Sequence, residues 1–179
     1  MRLFFGLSLP ADIRAAAAAC AAQAQGIIPG RYTPEENYHI TLAFIGEVPE
    51  NRLGDAHAVL QACIRDFPAP RVTLLAPDHF GRAQNGILIL RAASSPALEP
   101  LHEHLVRALA SVNLPADPGP FAPHITLARH ADVTRGLPPI PPPLSFTAQE
   151  AHVFLSARND QGALAYTPIT SAPFASDSL

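Results

Sequence analysis

The sequence predicts an α+β fold in two lobes, each a mostly antiparallel sheet with helices on its outer face and one special strand on its inner, cleft-lining face. Three observations predict it. Strand-like and helix-like stretches alternate as β-α-β-α-β-β-α-β-β-β, with hairpin signals at Asn85-Gly86 and at Asn159–Gly162. One stretch occurs twice, as His39-Ile40-Thr41-Leu42-Ala43-Phe44 and His124-Ile125-Thr126-Leu127-Ala128-Arg129, with five of six positions identical at a separation of 124 − 39 = 85 residues. Finally, 48% hydrophobic residues and a mean hydropathy of +0.14 give 179 residues enough apolar surface for a core. A single two-lobed domain over residues 1–179 is expected.

Each element has a local cause. Arg2–Leu9 is an apolar run and reads as a buried strand. Pro10-Ala11-Asp12 opens an Ala-rich helix that Gly26 ends. Pro34 holds Thr33 extended, Glu35-Glu36-Asn37 turns, and Tyr38–Ile45 is a strand broken by Gly46 to Pro49. Leu53, Ala56, Leu60 and Ile64 form a helical stripe within Pro49–Phe67. Residues 68–70 link to a strand at Arg71–Leu75. Asp78–Gly81 reads as a turn or bulge, and Gly86–Ala92 as the second strand of an antiparallel pair. Ser94-Ser95-Pro96 caps a helix to about Val112 with the stripe Leu98, Leu101, Leu105, Leu109. A loop at Asn113–Pro120 precedes the second copy. His130–Pro143 is irregular, with polyproline II at Leu137–Pro143. Leu144–Leu155 and Ala163–Phe174 form a final hairpin, and the last few residues fray.

The repeated stretch carries chemistry. Residues at i and i+2 share one face of a strand, so His39 and Thr41 point one way, as do His124 and Thr126, with Ile and Leu behind them. If the two strands lie together, two imidazoles and two hydroxyls converge. One isolated His-x-Thr would signify little, but two near-identical copies point to a duplicated half-site. Imidazoles with an ordinary pKa of about 6.5 divide acid and base work at neutral pH. Hydroxyls donate to anionic oxygens. The set suits in-line displacement at phosphorus, with the two imidazole roles interchangeable by symmetry. Arg129 and Phe44 follow each His by five residues. Strict alternation turns them off the cleft face unless the strand twists. Arg129 suits a phosphate, and Phe44 a stacked base. Tyr32 and Arg31 are further candidates for base contact. His57, His79, His102, His104, His130 and His152 read as surface or packing residues. His102-Glu103-His104 lacks the spacing of a helical metal pair, and neither a metal nor another cofactor is expected.

Bulk properties bound the partners. The net charge is −3 and all 12 basic side chains are Arg, which argues against wrapping long duplex nucleic acid but permits recognition of one strand end. Cys20 and Cys63 form no CxxC, so a reduced, cytoplasmic setting is expected. Residues 1–9 are too short for a signal peptide, and no apolar run spans a bilayer. A monomer is expected.

The paired tetrads resemble the two-histidine phosphoesterase superfamily, and within it the RNA 2′,3′-cyclic phosphodiesterase family, also called the 2′-5′ RNA ligase family. Met1-Arg2-Leu3-Phe4-Phe5 with Leu9-Pro10, Asn37 through Val48, and Pro123 through Arg129 are similar to its signatures. Phe80-Gly81, Leu155-Ser156 and Tyr166 match weaker landmarks. A Trp often precedes the first tetrad in this family, and Tyr32 stands there in this chain. The resemblance implies a bilobal fold with pseudo-twofold symmetry around a central cleft. It implies metal-independent opening of RNA 2′,3′-cyclic phosphate ends to a 2′-phosphate, with His39 as proton donor and His124 as proton acceptor. Other activities stay open: 2′-5′ joining of RNA ends, hydrolysis of another cyclic nucleotide, or nucleotide binding without turnover.

Overall fold

The computed structural model describes residues 1–93, 96–139 and 144–175. The chain runs β1 (Arg2–Ser8), α1 (Ala11–Gln25), β2 (Arg31–Tyr32), β3 (His39–Glu47), α2 (Leu53–Ile64), β4 (Arg71–Phe80), β5 (Gly86–Ala92), α3 (Leu98–Ser111), β6 (His124–Ala131), β7 (Leu144–Thr147), β8 (Glu150–Arg158) and β9 (Leu164–Pro173). Two sheets result, ordered β3-β1-β8-β9 and β2-β6-β5-β4-β7, and every pairing of these strands is antiparallel. The fold is α+β and two-sheeted, as the sequence predicts.

β1 is buried from Leu3 to Leu7 because strands flank it on both sides. Gly6 sits where no side chain fits: a Cβ would lie 2.9 Å from the Ile40 carbonyl oxygen and 3.2 Å from the Phe154 ring. α1 follows β1 of the first sheet yet packs on β6 and β7 of the second, whereas α2 and α3 pack on each other and on the first sheet. The stripe Leu98, Leu101, Leu105 and Leu109 is buried, as its spacing requires. One apolar core joins both sheets, with Leu3, Phe5, Ile40 and Leu42 from one and Leu88, Leu90, Ile125 and Leu127 from the other.

Several expectations change. The strand expected at Leu144–Leu155 is two strands on different sheets, separated where the Ala148 N–H turns to the Pro70 carbonyl and the Gln149 carbonyl to the Phe174 N–H. Asp78–Phe80 is not a turn but the end of β4. There Asp78 pairs with Ile89 and its carboxylate takes the Arg91 Nε–H at 2.6 Å, so cross-strand contacts override turn composition. β3 continues through Gly46, whose φ of +91° only glycine adopts freely, and pairs with β1 as far as Glu47. Arg31-Tyr32 forms the short strand β2, and α2 ends at Ile64 rather than Phe67. The caps at Ser94-Ser95, residues 140–143 of the proline stretch and the frayed terminus lie outside the described residues; residues 137–139 are in neither helix nor strand. Among the described residues no helix is long and apolar enough to cross a membrane.

Candidate active site

The two tetrads lie on β3 and β6, and both strands break their pairing at matched places. Against β1, Gly6 pairs with Thr41 and Phe5 with Ala43, leaving Leu42 unpaired; Ile45 is skipped in the same way. Against β5, Ile89 pairs with Thr126 and Leu88 with Ala128, leaving Leu127 unpaired, and His130 is skipped. Each copy thus bulges three and six residues after its His. A bulge shifts the alternation by one residue and re-aims the side chains beyond it. Leu42 and Ala43 are consecutively buried, as are Leu127 and Ala128, and Phe44 and Arg129 return to the cleft. This corrects the expectation of strict alternation. The bulged carbonyls are both satisfied: Leu42 accepts His102 Nδ1–H at 2.7 Å, and Leu127 accepts the Thr33 backbone N–H at 2.8 Å.

The imidazoles are tethered identically. His39 Nδ1–H donates to the Asn37 carbonyl at 2.7 Å, and His124 Nδ1–H to the Ala122 carbonyl at 2.6 Å. A carbonyl only accepts, so the hydrogen is on Nδ1 and each neutral ring presents Nε2 as a base. The Thr41 hydroxyl donates to His39 Nε2 at 3.1 Å. His39 lies among three rings, Phe4 at 4.7 Å, Tyr166 at 4.9 Å and Phe154 at 5.6 Å. Phe80 stands edge-on to His124 at 4.9 Å. Burial pushes the His39 imidazole down to about 4; the charges of His124 and Arg129 act the same way, against the Asn37 carbonyl. His124 is lowered too, by burial first and then by Arg129, against the Ala122 carbonyl. Both rings are neutral at pH 7 in the free protein. A phosphate anion between them favours their charged forms.

His39, Thr41, His124, Thr126, Phe44 and Arg129 line one cleft of about 320 Å³. Arg2, Phe4, Thr33, Asn37, Ser156, Leu164 and Tyr166 complete its wall, and the residue pattern singles out none of them for chemistry. Arg2 pairs with Ser156 and Ser156 with Tyr166, a row that appears only once the order of β1, β8 and β9 is known. The Arg2 guanidinium carbon is 4.9 Å from the centre of the Phe44 ring. Asn37 is buried; its amide donates to the Leu164 carbonyl at 2.8 Å and accepts the Tyr166 N–H at 3.0 Å, fixing the carbonyl that holds His39. Tyr32 and Arg31 stand outside this lining. The Tyr32 hydroxyl donates to the Ile28 carbonyl at 3.0 Å and its ring packs on the core, while Arg31 is exposed beside Arg129. Among the described residues no three His, Cys, Asp or Glu side chains converge as a metal site. The arrangement offers two bases, two hydroxyls and a guanidinium around one space, the inventory for moving protons on either side of an anionic centre.

Residues 9–160 match the family model of the 2′-5′ RNA ligase superfamily. Over 169 residues the chain is 31% identical to the RNA 2′,3′-cyclic phosphodiesterase of Escherichia coli K12, covering 94% of this chain and 93% of that protein. A protein of the same name from Geobacillus stearothermophilus is 30% identical over 128 residues, which is 70% of this chain but 41% of that longer relative. A crystal structure from Thermus thermophilus superposes with a TM-score of 0.81 at 26% identity, covering 99% of this chain and all of the other.

Proposed function

Because the chain belongs to the 2′-5′ RNA ligase superfamily, we propose that it opens RNA 2′,3′-cyclic phosphate ends to 2′-phosphates without a metal. The observation that carries this reading is the mirrored tethering of His39 and His124, which turns two Nε2 atoms and two threonine hydroxyls to one cleft. The non-bridging phosphate oxygens sit on the Thr41 and Thr126 hydroxyls and on Arg129. His124 Nε2 takes the proton of the attacking water. His39 Nε2–H gives a proton to the departing ribose 3′-oxygen. The P–O3′ bond breaks, a P–OH bond forms, and the 2′-oxygen stays on phosphorus. Burial makes a protonated His39 a strong acid, which suits a poor alkoxide leaving group.

The residues 1–179 act as one two-lobed domain, and a monomer suffices because both half-sites come from one chain. The buried, unlinked thiols of Cys20 and Cys63 favour the reducing cytoplasm. The test is to incubate the protein with an RNA ending in a 2′,3′-cyclic phosphate, in chelator, and identify the new end. A 2′-phosphate is expected. A 3′-phosphate, no product, or activity lost to chelator overturns the proposal.

A further inference from the structure

The catalytic cleft opens into a second chamber. A cavity of about 330 Å³ shares Thr41, Phe44 and His124 with it, but is not lined by His39, Thr126 or Arg129. Residues 41–44 of β3 form one wall of it, and it meets the cleft at the three residues they share. The volume is within the roughly 300–1,000 Å³ of ligand pockets. Its character also differs: where the cleft offers Arg2 and Asn37, the chamber offers Phe80, Phe121 and His102.

These rings are set by the fold. Phe121 stacks on His102 at 4.7 Å with 16° between planes, and His102 is fixed in turn by its bond to the bulged Leu42 carbonyl. Phe80 is held edge-on to His124. Asp117 lines the same chamber, and its backbone N–H, donated to the Phe44 carbonyl at 3.1 Å, pins its loop to β3. One Asp117 carboxylate oxygen accepts the Gly119 N–H at 2.9 Å; the other has no hydrogen-bond partner among the described residues.

We propose that this chamber is the nucleobase subsite for the nucleotide bearing the cyclic phosphate, and that Asp117 makes it prefer guanine. The proposal rests on the phosphodiesterase reading above. The base of that nucleotide is one ribose away from the reacting phosphorus, so it must occupy space continuous with the catalytic groups. A base has flat apolar faces that stack on aromatic side chains, and rings already locked in place bind it without ordering cost. The polar cleft suits the phosphate and the RNA backbone. A carboxylate only accepts, and guanine alone among the four bases presents two adjacent donors, N1–H and N2–H, to one carboxylate.

The experiment compares kcat and KM for the four nucleoside 2′,3′-cyclic phosphates and for methyl riboside 2′,3′-cyclic phosphate, which lacks a base. Guanosine is expected to lead by tenfold or more in kcat/KM, through KM, with the base-free compound last. Phe121→Ala should collapse the gap between base-bearing and base-free substrates. Asp117→Asn should remove the lead of guanosine over adenosine while that gap persists. Ratios within one variant are insensitive to loss of folded protein. Equal KM with and without a base, or variants that keep the wild-type ratios, overturns the subsite. If no cyclic phosphate opens at all, the phosphodiesterase reading fails separately. Guanosine 2′-phosphate then decides the subsite by NMR: shifts at Phe80 and Phe121 that ribose 2-phosphate does not cause support it, and their absence overturns it.

Discussion

β3 presents His39 from the edge of its sheet, with β1 as its one partner, whereas β6 presents His124 from between β2 and β5. Both strands open with the same five residues and bulge at the same two places. The supports differ. On β6 the bulged Leu127 carbonyl is satisfied by the backbone of Thr33, just beyond the neighbouring strand β2. On β3 the corresponding Leu42 carbonyl is satisfied by a side chain, His102, from α3. The carbonyl that holds His39 belongs to Asn37, whose amide is tied to the start of β9; the carbonyl that holds His124 belongs to Ala122, which has no side chain to tie. An interior strand takes its locks from neighbouring backbone, while an edge strand borrows them from side chains elsewhere in the chain. A duplicated geometry therefore rests on unequal foundations, and the His39 half should be the more sensitive to substitution.

The largest effect tests whether the halves are partners. His39→Ala and His124→Ala should each lower turnover on the cyclic end by roughly 10²–10⁴-fold, with the double mutant far less than multiplicatively worse. Near-full turnover in either single mutant breaks the partnership. Next, Thr41→Ala and Thr126→Ala should each cost about 1–3 kcal/mol of transition-state stabilisation in kcat/KM. Thr41→Ala should cost the more, because Thr41 also holds His39 Nε2; equal losses would remove that asymmetry. Smaller still, Asn37→Ala should lose about 1 kcal/mol in urea unfolding, since it removes two partly buried side-chain-to-backbone bonds, while Ala122→Ser should stay within about 0.5 kcal/mol. Equal midpoints would refute the unequal foundations.

The last test, read at acid pH alone, is the pH dependence. Unfolded, His39 takes a proton near 6.5; folded, only near 4. The unfolded state thus binds the proton first, so the stabilisation is complete above pH 6.5 and is lost as pH falls towards 4. It should amount to about 3 kcal/mol between pH 6.5 and 4, and a His39→Gln variant should lack it. NMR titration should show His39 charging at lower pH than His124. The bell-shaped kcat/KM profile should peak on the acid side of 6.5, since both rings are lowered in the free protein. An optimum above pH 7 would contradict both shifts.

The tetrads were legible because their signal is local: alternation and composition place His with Thr and Ile with Leu. The cleft-facing positions of Phe44 and Arg129 were not. They depend on bulges set by register with β1 and β5, and the second bulge falls on Ile45 in one copy and His130 in the other, so no shared residue marks it. Leu144–Leu155 reads as one strand because no Gly or Pro interrupts it, yet the partners that divide it, Pro70 and Phe174, are distant in sequence. His102 read as a packing residue because nothing around it in α3 reveals the Leu42 carbonyl it reaches. Periodicity finds faces; register and capping by remote groups decide what those faces meet.

The tie from Asn37 to Leu164 and Tyr166 spans 127 and 129 residues. A nascent chain that has emerged from the ribosome as far as Thr147 already holds every strand of the second sheet. It still lacks β8 and β9, so β1 has an open edge and the anchor for His39 has not been made. Such long-range pairings form late and slowly. Catalytic competence therefore waits for β8 and β9, and a chain that has not yet made them carries its two histidines without the frame that aims them.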